Sequence, residues 1–273
     1  RAWNFISQPS RTGGWLFFLF SSMLRPGSPA VTDEMSPALE ILHEEGPCLV
    51  INKPGGLLTQ APPNIDSLEM QVKKFIKQRD NKPGRVYLGV PHRLDRPVSG
   101  AIVLARHVRA ARRISEQFQG RTVQKTYWAC VEGSPPEDEG CWQDAMRKIP
   151  GEARSEIVTV DHPDAQKAEL HFQVIERRED CSWLEIQLQT GRTHQIRLQC
   201  SARGLPIVGD RQYGAEQCFG PAADDDRQRW IALHARQLAF KHPMTREQVD
   251  ITAPLSSYWD ALGLALPAGS PDS

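Results

Sequence analysis

Three segments of this chain alternate apolar and polar residues with a period of two, and that alternation limits the fold more than any other feature. Tyr127, Ala129 and Val131 fall on one side of Lys125–Val131. Ala168, Leu170, Phe172 and Val174 form a second such series, and Leu184, Ile186 and Leu188 a third. Period two is the repeat of a half-buried strand, so a mixed or antiparallel central sheet is expected. Two short apolar runs, Cys48–Asn52 and Ala101–Ala105, predict buried strands; the first ends at Lys53-Pro-Gly-Gly56, which predicts a turn. Helical spacing appears twice. Leu68, Val72, Phe75 and Ile76 define one amphipathic helix over 68–78. Val108, Ala111, Ile114 and Phe118 define another over 108–118, with Arg109, Arg112 and Arg113 turned outward. The regular strand–helix alternation of a doubly wound sheet is missing. So are the glycine-rich loops of dinucleotide and nucleoside triphosphate sites. The fold class is therefore α+β, a mixed or antiparallel central sheet with flanking helices and loops. One domain is expected over 38–265, with loops at Ser134–Gly140 and Gly214–Asp226.

The flanks read differently. Residues 1–37 hold the apolar run Trp15–Phe20 and then Pro26, Ser28, Pro29, Ser36 and Pro37, which predicts a flexible extension. Six apolar residues are too few for a bilayer crossing, which takes about 20, and the run is short for the core of a signal peptide. A misassigned start, with Met23 or Met35 as the true one, is a further reading, and a targeting peptide is the alternative. Residues 266–273 are expected to be a disordered tail. The six cysteines form no C-x-x-C pair and none lies near a histidine at metal-ligand spacing in sequence. They read as reduced core or surface thiols of an intracellular protein, expected in the cytoplasm without a membrane partner, and the lack of a long apolar surface stripe leads to the expectation of a monomer.

Formal net charge is zero, but its distribution is uneven. Residues 73–125 carry 14 Lys/Arg against 3 Asp/Glu, whereas residues 132–185 carry 6 against 14. A basic block within a neutral chain can be an electrostatic footprint for phosphates, with Arg109, Arg112, Arg113 and Lys125 as candidate contacts to a nucleic-acid backbone. On charge alone, a solvated face balanced by the acidic segment explains it equally well.

Chemistry concentrates in two segments. His92-Arg-Leu-Asp-Arg-Pro-Val-Ser-Gly100 places one carboxylate, Asp95, between Arg93 and Arg96, just before a buried strand. A partly desolvated anionic carboxylate can act as nucleophile or base. It can also simply brace its loop, and composition alone favours that. Gly191-Arg-Thr-His-Gln-Ile-Arg197 follows the Leu184–Leu188 strand; Thr193 is expected to cap a helix that carries Arg197 and ends at Gly204. Arg192 would precede that helix and touch phosphate or brace the loop. His194 has no triad partner nearby in sequence, so a structural hydrogen bond is expected of it.

Taken together, the two segments resemble the signature motifs of RluA-type pseudouridine synthases. Further matching stretches follow in order: Leu49–Gly56, Lys125-Thr-Tyr127, Leu205–Asp210 with Tyr213-Gly214, and Leu233-His-Ala235. The resemblance covers about residues 41–256. It implies that Asp95 is the catalytic aspartate and that Arg197 pairs with it. It also implies that Tyr127 stacks on the target uracil and that Arg93 enters the space left by a flipped nucleotide. The chemistry implied is isomerisation of uridine in ribosomal or transfer RNA, without cofactor or metal. Two features depart from the family pattern. Val98 stands where Thr is usual, which removes a hydroxyl. The residues before Ala38 are too few for the S4-type RNA-binding domain that many relatives carry. An RNA-binding relative without chemistry and a two-carboxylate hydrolase are the competing readings. Against the first, Asp95, Tyr127 and Arg197 are all present; against the second, neither motif holds another acid.

Overall fold

The structure is a computed structural model that describes residues 39–263. The expectations for residues 1–37 and 266–273 lie outside the described residues. A ten-stranded mixed sheet organises them. β1 (Glu40–Glu45) and β2 (Cys48–Lys53) form an antiparallel hairpin, and β3 (Ser99–Ala105) lies antiparallel against β2. The other strands are β4 (Gln124–Glu132), β5 (Glu139–Lys148), β6 (Ser155–Ile157), β7 (Gln166–Arg177), β8 (Cys181–Leu188), β9 (Leu233–Lys241) and β10 (Gln248–Thr252). Their spatial order is β1-β2-β3-β9-β4-β8-β7-β5-β6, with β10 paired to the other part of β9. The single parallel junction is between β3 and β9, through Ser99–His234 and Gly100–Ala235. Gly100 has φ +113°, and a Cβ there would meet the Ala235 carbonyl oxygen at 2.4 Å, so only glycine lets the two strands join.

The apolar runs in β2 and β3 have a packing cause. Leu49, Ile51, Ile102 and Leu104 point to the face covered by α1 (Leu68–Arg79), beside Leu68, Val72 and Ile76. Val50, Ala101, Val103 and Ala105 point to the opposite face, covered by α2 (Val108–Gln119) through Ala110 and Ile114. Strands covered on both faces lose the alternation seen elsewhere. Burying one such aliphatic side chain contributes roughly 1.5–3 kcal/mol. α1 starts where the Ser67 hydroxyl accepts from the Met70 amide, and α2 where His107 Nδ1 accepts from the Arg109 amide.

Several expectations need correction. Val108 is 64% exposed, not inward. As the first residue of α2 it lies beside the cap, and Ala110 and Ile114, four apart, define the buried stripe instead. Strand β5 begins at Glu139, so the end of the expected 134–140 loop is sheet. Strands β1, β5, β6, β9 and β10 are not marked by a long alternating run in the sequence, because each is short, polar or irregular in its burial. No helix among the described residues is long and apolar enough to cross a membrane. All six cysteines are free, and burial pushes the thiols of Cys48 and Cys200 up to about 12.

Candidate active site

Asp95 opens a tight turn into β3, closed by the Val98 amide donating to the Asp95 carbonyl at 3.1 Å. The last residue of β2, Lys53, and the loop that follows it to Thr59 hold this turn. The Thr59 hydroxyl donates to the Leu94 carbonyl at 2.8 Å and accepts from the Leu94 amide. The buried Lys53 ammonium donates to the carbonyls of Pro54, Leu57 and Arg96 at 2.8, 2.7 and 3.3 Å. Burial lowers the Lys53 pKa to about 7 against the opposing attraction of Asp95. Arg96, one of the arginines flanking Asp95 in sequence, sends Nε to the Gly56 carbonyl at 2.9 Å and so ties the two loops together. His92 accepts at Nε2 from the Val103 amide at 3.0 Å and stacks on Phe118 at 4.2 Å. Burial, with Lys125 nearby, pushes its pKa down to about 3, so it acts as a neutral acceptor that pins the loop to the sheet.

The second motif is built around a side chain that sequence reasoning passed over. α3 (Gln195–Ser201) does not start at Thr193 as expected. Its N-cap is His194, in the left-handed region at φ 56°, ψ 26°, with no side-chain cap bond. Gln195 organises the turn instead: its Oε1 accepts from the Arg192 amide at 3.0 Å and the Thr190 hydroxyl at 2.8 Å. Its Nε2 donates to the Glu169 carbonyl on β7. α3 also ends earlier than expected, at Ser201 with Ala202 as C-cap. Left-handed geometry at a non-glycine residue is uncommon and gathers at functional sites.

Arg197 on α3 is 5% exposed and faces two carboxylates. It grips Asp210 with Nε–Oδ2 2.6 Å and Nη2–Oδ1 2.8 Å, and its Nη1 stands 3.7 Å from Asp95 Oδ2. Bidentate geometry of that kind fixes the guanidinium plane. The expected pairing of Arg197 with Asp95 is thus the looser of two. Asp210 belongs to a stretch noted only for its order in the chain. The signal that could have exposed it is physical: a buried arginine needs a close carboxylate partner, and Asp95 alone leaves most of its donors unused. His194 shares a hydrogen bond between Nδ1 and the Tyr213 hydroxyl at 2.9 Å, with Nε2 3.8 Å from Asp95 Oδ2. Burial lowers its pKa, which favours the neutral ring beside Asp95.

Asp95, 31% exposed, lies where two cavities meet. The first has a volume of about 620 Å³, within the usual range for a small-ligand site. Arg93, Tyr127, Lys125, Arg192 and Arg197 line it, together with apolar Val98, Ile196 and Leu233. Tyr127 sits on β4 beside a break in register with β9 between Thr126 and Tyr127. The extra residue at that point is Arg236 on β9, between the partners of Thr126 and Tyr127. Burial, then the charge of Asp95, raises the Tyr127 pKa and keeps its hydroxyl protonated. Arg93 is exposed at the rim, and Arg192 braces the loop by donating Nε to the Lys167 carbonyl at 3.0 Å. Lys125 lies within the cavity wall, its pKa lowered by burial and then by Arg121. The α2 arginines line neither cavity. Arg113 donates to the Pro243 carbonyl at 2.7 Å, Arg112 stands 3.5 Å from Glu116, and Arg109 is exposed.

Among the described residues, Cys141, Glu169 and His171 bring possible metal-ligand atoms within 4.8 Å of one another. Sequence spacing hides this set, because pairing of β5 with β7 puts Cys141 opposite His171. Its carboxylate is engaged by Lys167 at 2.7 Å on the open face of the sheet, apart from Asp95.

A partly exposed carboxylate 3.7 Å from a fixed guanidinium, in a cavity lined by a half-buried tyrosine and by further cations, suits chemistry on an extruded nucleobase. The comparisons agree. A family model described as RNA pseudouridylate synthase matches residues 47–202. An uncharacterized RNA pseudouridine synthase of Synechocystis sp. is 32% identical over 227 residues, covering 82% of this chain and 68% of that protein. Ribosomal large subunit pseudouridine synthase C of Vibrio vulnificus is 30% identical over 220 residues, covering 79% and 65%. The solved structure of human RNA pseudouridylate synthase domain containing 4 superposes with TM-score 0.67 at 26% identity, covering 81% of this chain and 90% of that one. The chain belongs to the RNA pseudouridine synthases of the RluA type, isomerases with an α+β catalytic fold.

Proposed function

We propose that this protein isomerises specific uridines in structured RNA, with Asp95 as the essential carboxylate. The observation that carries this reading is the position of Asp95 Oδ2. It sits at the mouth of the cavity that Tyr127 and Arg93 line, 3.7 Å from an Arg197 already locked to Asp210. In the reaction the N1–C1′ bond breaks and uracil turns within the cavity. C5 then bonds C1′, the C5 proton leaves and N1 gains one. Asp95 acts through an oxygen, by attack on carbon or by taking a sugar proton. Tyr127 stacks on the flipped base, Arg93 fills the place it left, and Arg192 and Lys125 meet the neighbouring phosphates. Ribosomal RNA is the favoured substrate, because relatives named for the ribosomal large subunit cover most of this chain; transfer RNA is the alternative. Val98 offers no hydroxyl toward the cavity, so base recognition falls to the remaining polar lining.

Tritium release from RNA labelled at uridine C5 tests this directly. Wild-type protein should release label, and Asp95→Asn should release none while binding RNA as before. Activity of the variant within about tenfold of wild type, about 1.4 kcal/mol of barrier, would overturn the assignment.

A further inference from the structure

We infer that the cavity on the far side of Asp95 is a second RNA-backbone site, which holds the strand as it leaves the flipped nucleotide. The inference rests on the proposed role of Asp95 as the centre of the reaction. This cavity has a volume of about 780 Å³ and shares Arg93, Asp95, His194 and Arg197 with the first. Its cations come from separate parts of the chain. Lys148 ends β5, Arg211 follows Asp210, and Arg227 and Arg229 come from the turn before β9. Lys148 even lies inside the acidic segment of the sequence, so no local run of charge predicts the cluster.

Their charges are available. Lys148, Arg211 and Arg227 have no carboxylate partner among the described residues, and all three are exposed. Arg229 pairs with Asp226 at 2.8 Å, but that carboxylate is 82% exposed and the pair is weak in water. Of the other acids lining the cavity, Asp210 is neutralised by Arg197, and Asp95 is the reacting group. What remains is a groove in which basic side chains outnumber free carboxylates, the kind of charged track that a single-stranded backbone follows.

A continuous strand with one nucleotide flipped at Asp95 must carry phosphates away on both sides. The first cavity offers Arg121, Lys125 and Arg192 to one side, and this second lobe serves the other. The preferred substrate is therefore a uridine inside an unpaired stretch, flanked on both sides, and not one at a strand end.

The test uses the full chain and end-labelled oligouridylates of increasing length. Wild-type affinity should rise with length until both lobes are filled and then level off. Lys148→Glu/Arg211→Glu/Arg227→Glu should level off at a shorter length. Its log–log salt slope should be shallower by roughly 2, at about 0.7 for each single-strand phosphate no longer neutralised. The neutral triple variant with Gln at the same positions should shift the same way by a smaller amount, and matching melting temperatures exclude misfolding. Unchanged length dependence and unchanged salt slope in the Glu variant would overturn the second lobe. Failure of the isomerase reading would appear elsewhere, as wild-type protein that binds these oligonucleotides through both lobes yet releases no tritium.

Discussion

Arg197 stands between two carboxylates, and the unequal distances divide their tasks. Asp210 is buried and bidentate, so it holds the guanidinium; Asp95 is looser and partly open, so it keeps an oxygen for substrate. Arg197→Met would leave a buried Asp210 without its cation, a loss of about 3–5 kcal/mol for breaking a pair of this type. Melting temperature and single-turnover rate should fall together; if neither moves, the pairing scheme is wrong. Tyr127 separates ring from hydroxyl. Tyr127→Phe keeps the platform, so substrate affinity should hold, whereas Tyr127→Ala should weaken binding by roughly 1–3 kcal/mol per stacked base. Normal turnover and affinity in the alanine variant would leave Tyr127 a core residue only. Loss of turnover in the phenylalanine variant alone would assign proton transfer to the hydroxyl.

Among the elements, the two motif loops work because other segments hold them, and His92 is the most testable of those holds. The unfolded chain binds a proton on this ring near pH 6.5, whereas the folded chain resists protonation until about pH 3. The unfolded state therefore binds more protons within that window. The contribution of His92 is complete above about 6.5 and is lost as the pH falls toward 3. Protonation would also remove the acceptor for the Val103 amide. His92→Gln, which accepts without titrating, should flatten the fall of melting temperature with acid. Parallel curves for the two proteins would reject this account. The loop beside β7 shows the same dependence on support: Thr190, Arg192 and Gln195 all reach the backbone of Lys167 or Glu169, so strand pairing sets the position of α3.

For the molecule as a whole, charge placement decides how RNA approaches. α2 keeps Arg109 and Arg112 on its outer face, away from both cavities, while Arg113 is tied to the Pro243 carbonyl. RNA that only fills the cleft should not sense the first two, but a long folded RNA can reach them. Arg109→Glu/Arg112→Glu should leave binding of a short oligouridylate unchanged. For ribosomal RNA fragments it should flatten the log–log salt slope by about 0.9 for each duplex phosphate no longer neutralised. An unchanged slope with the long RNA would remove α2 from the footprint.

Much of this architecture is legible in the order of residues. Period two locates β4, β7 and β8, helical spacing locates α1 and α2, and the motif residues Asp95, Tyr127, Arg93, Arg192 and Arg197 do line one cavity. Those features are local: alternation records which face of a segment is buried, and a motif keeps its members within a few residues. Asp210 as the main partner of Arg197, Gln195 as the organiser of its turn, and Cys141 opposite His171 are not legible that way. Nor is the convergence of Lys148, Arg211 and Arg227. Each depends on strand register and loop closure between distant segments, which no window of sequence contains. Order along the chain was enough to specify the kind of sheet, the two reactive loops and the chemistry they resemble. Folding alone settled which charges face Asp95 and which are consumed in holding it, because pairing across the sheet brings together residues far apart in the chain and sets the distances between them.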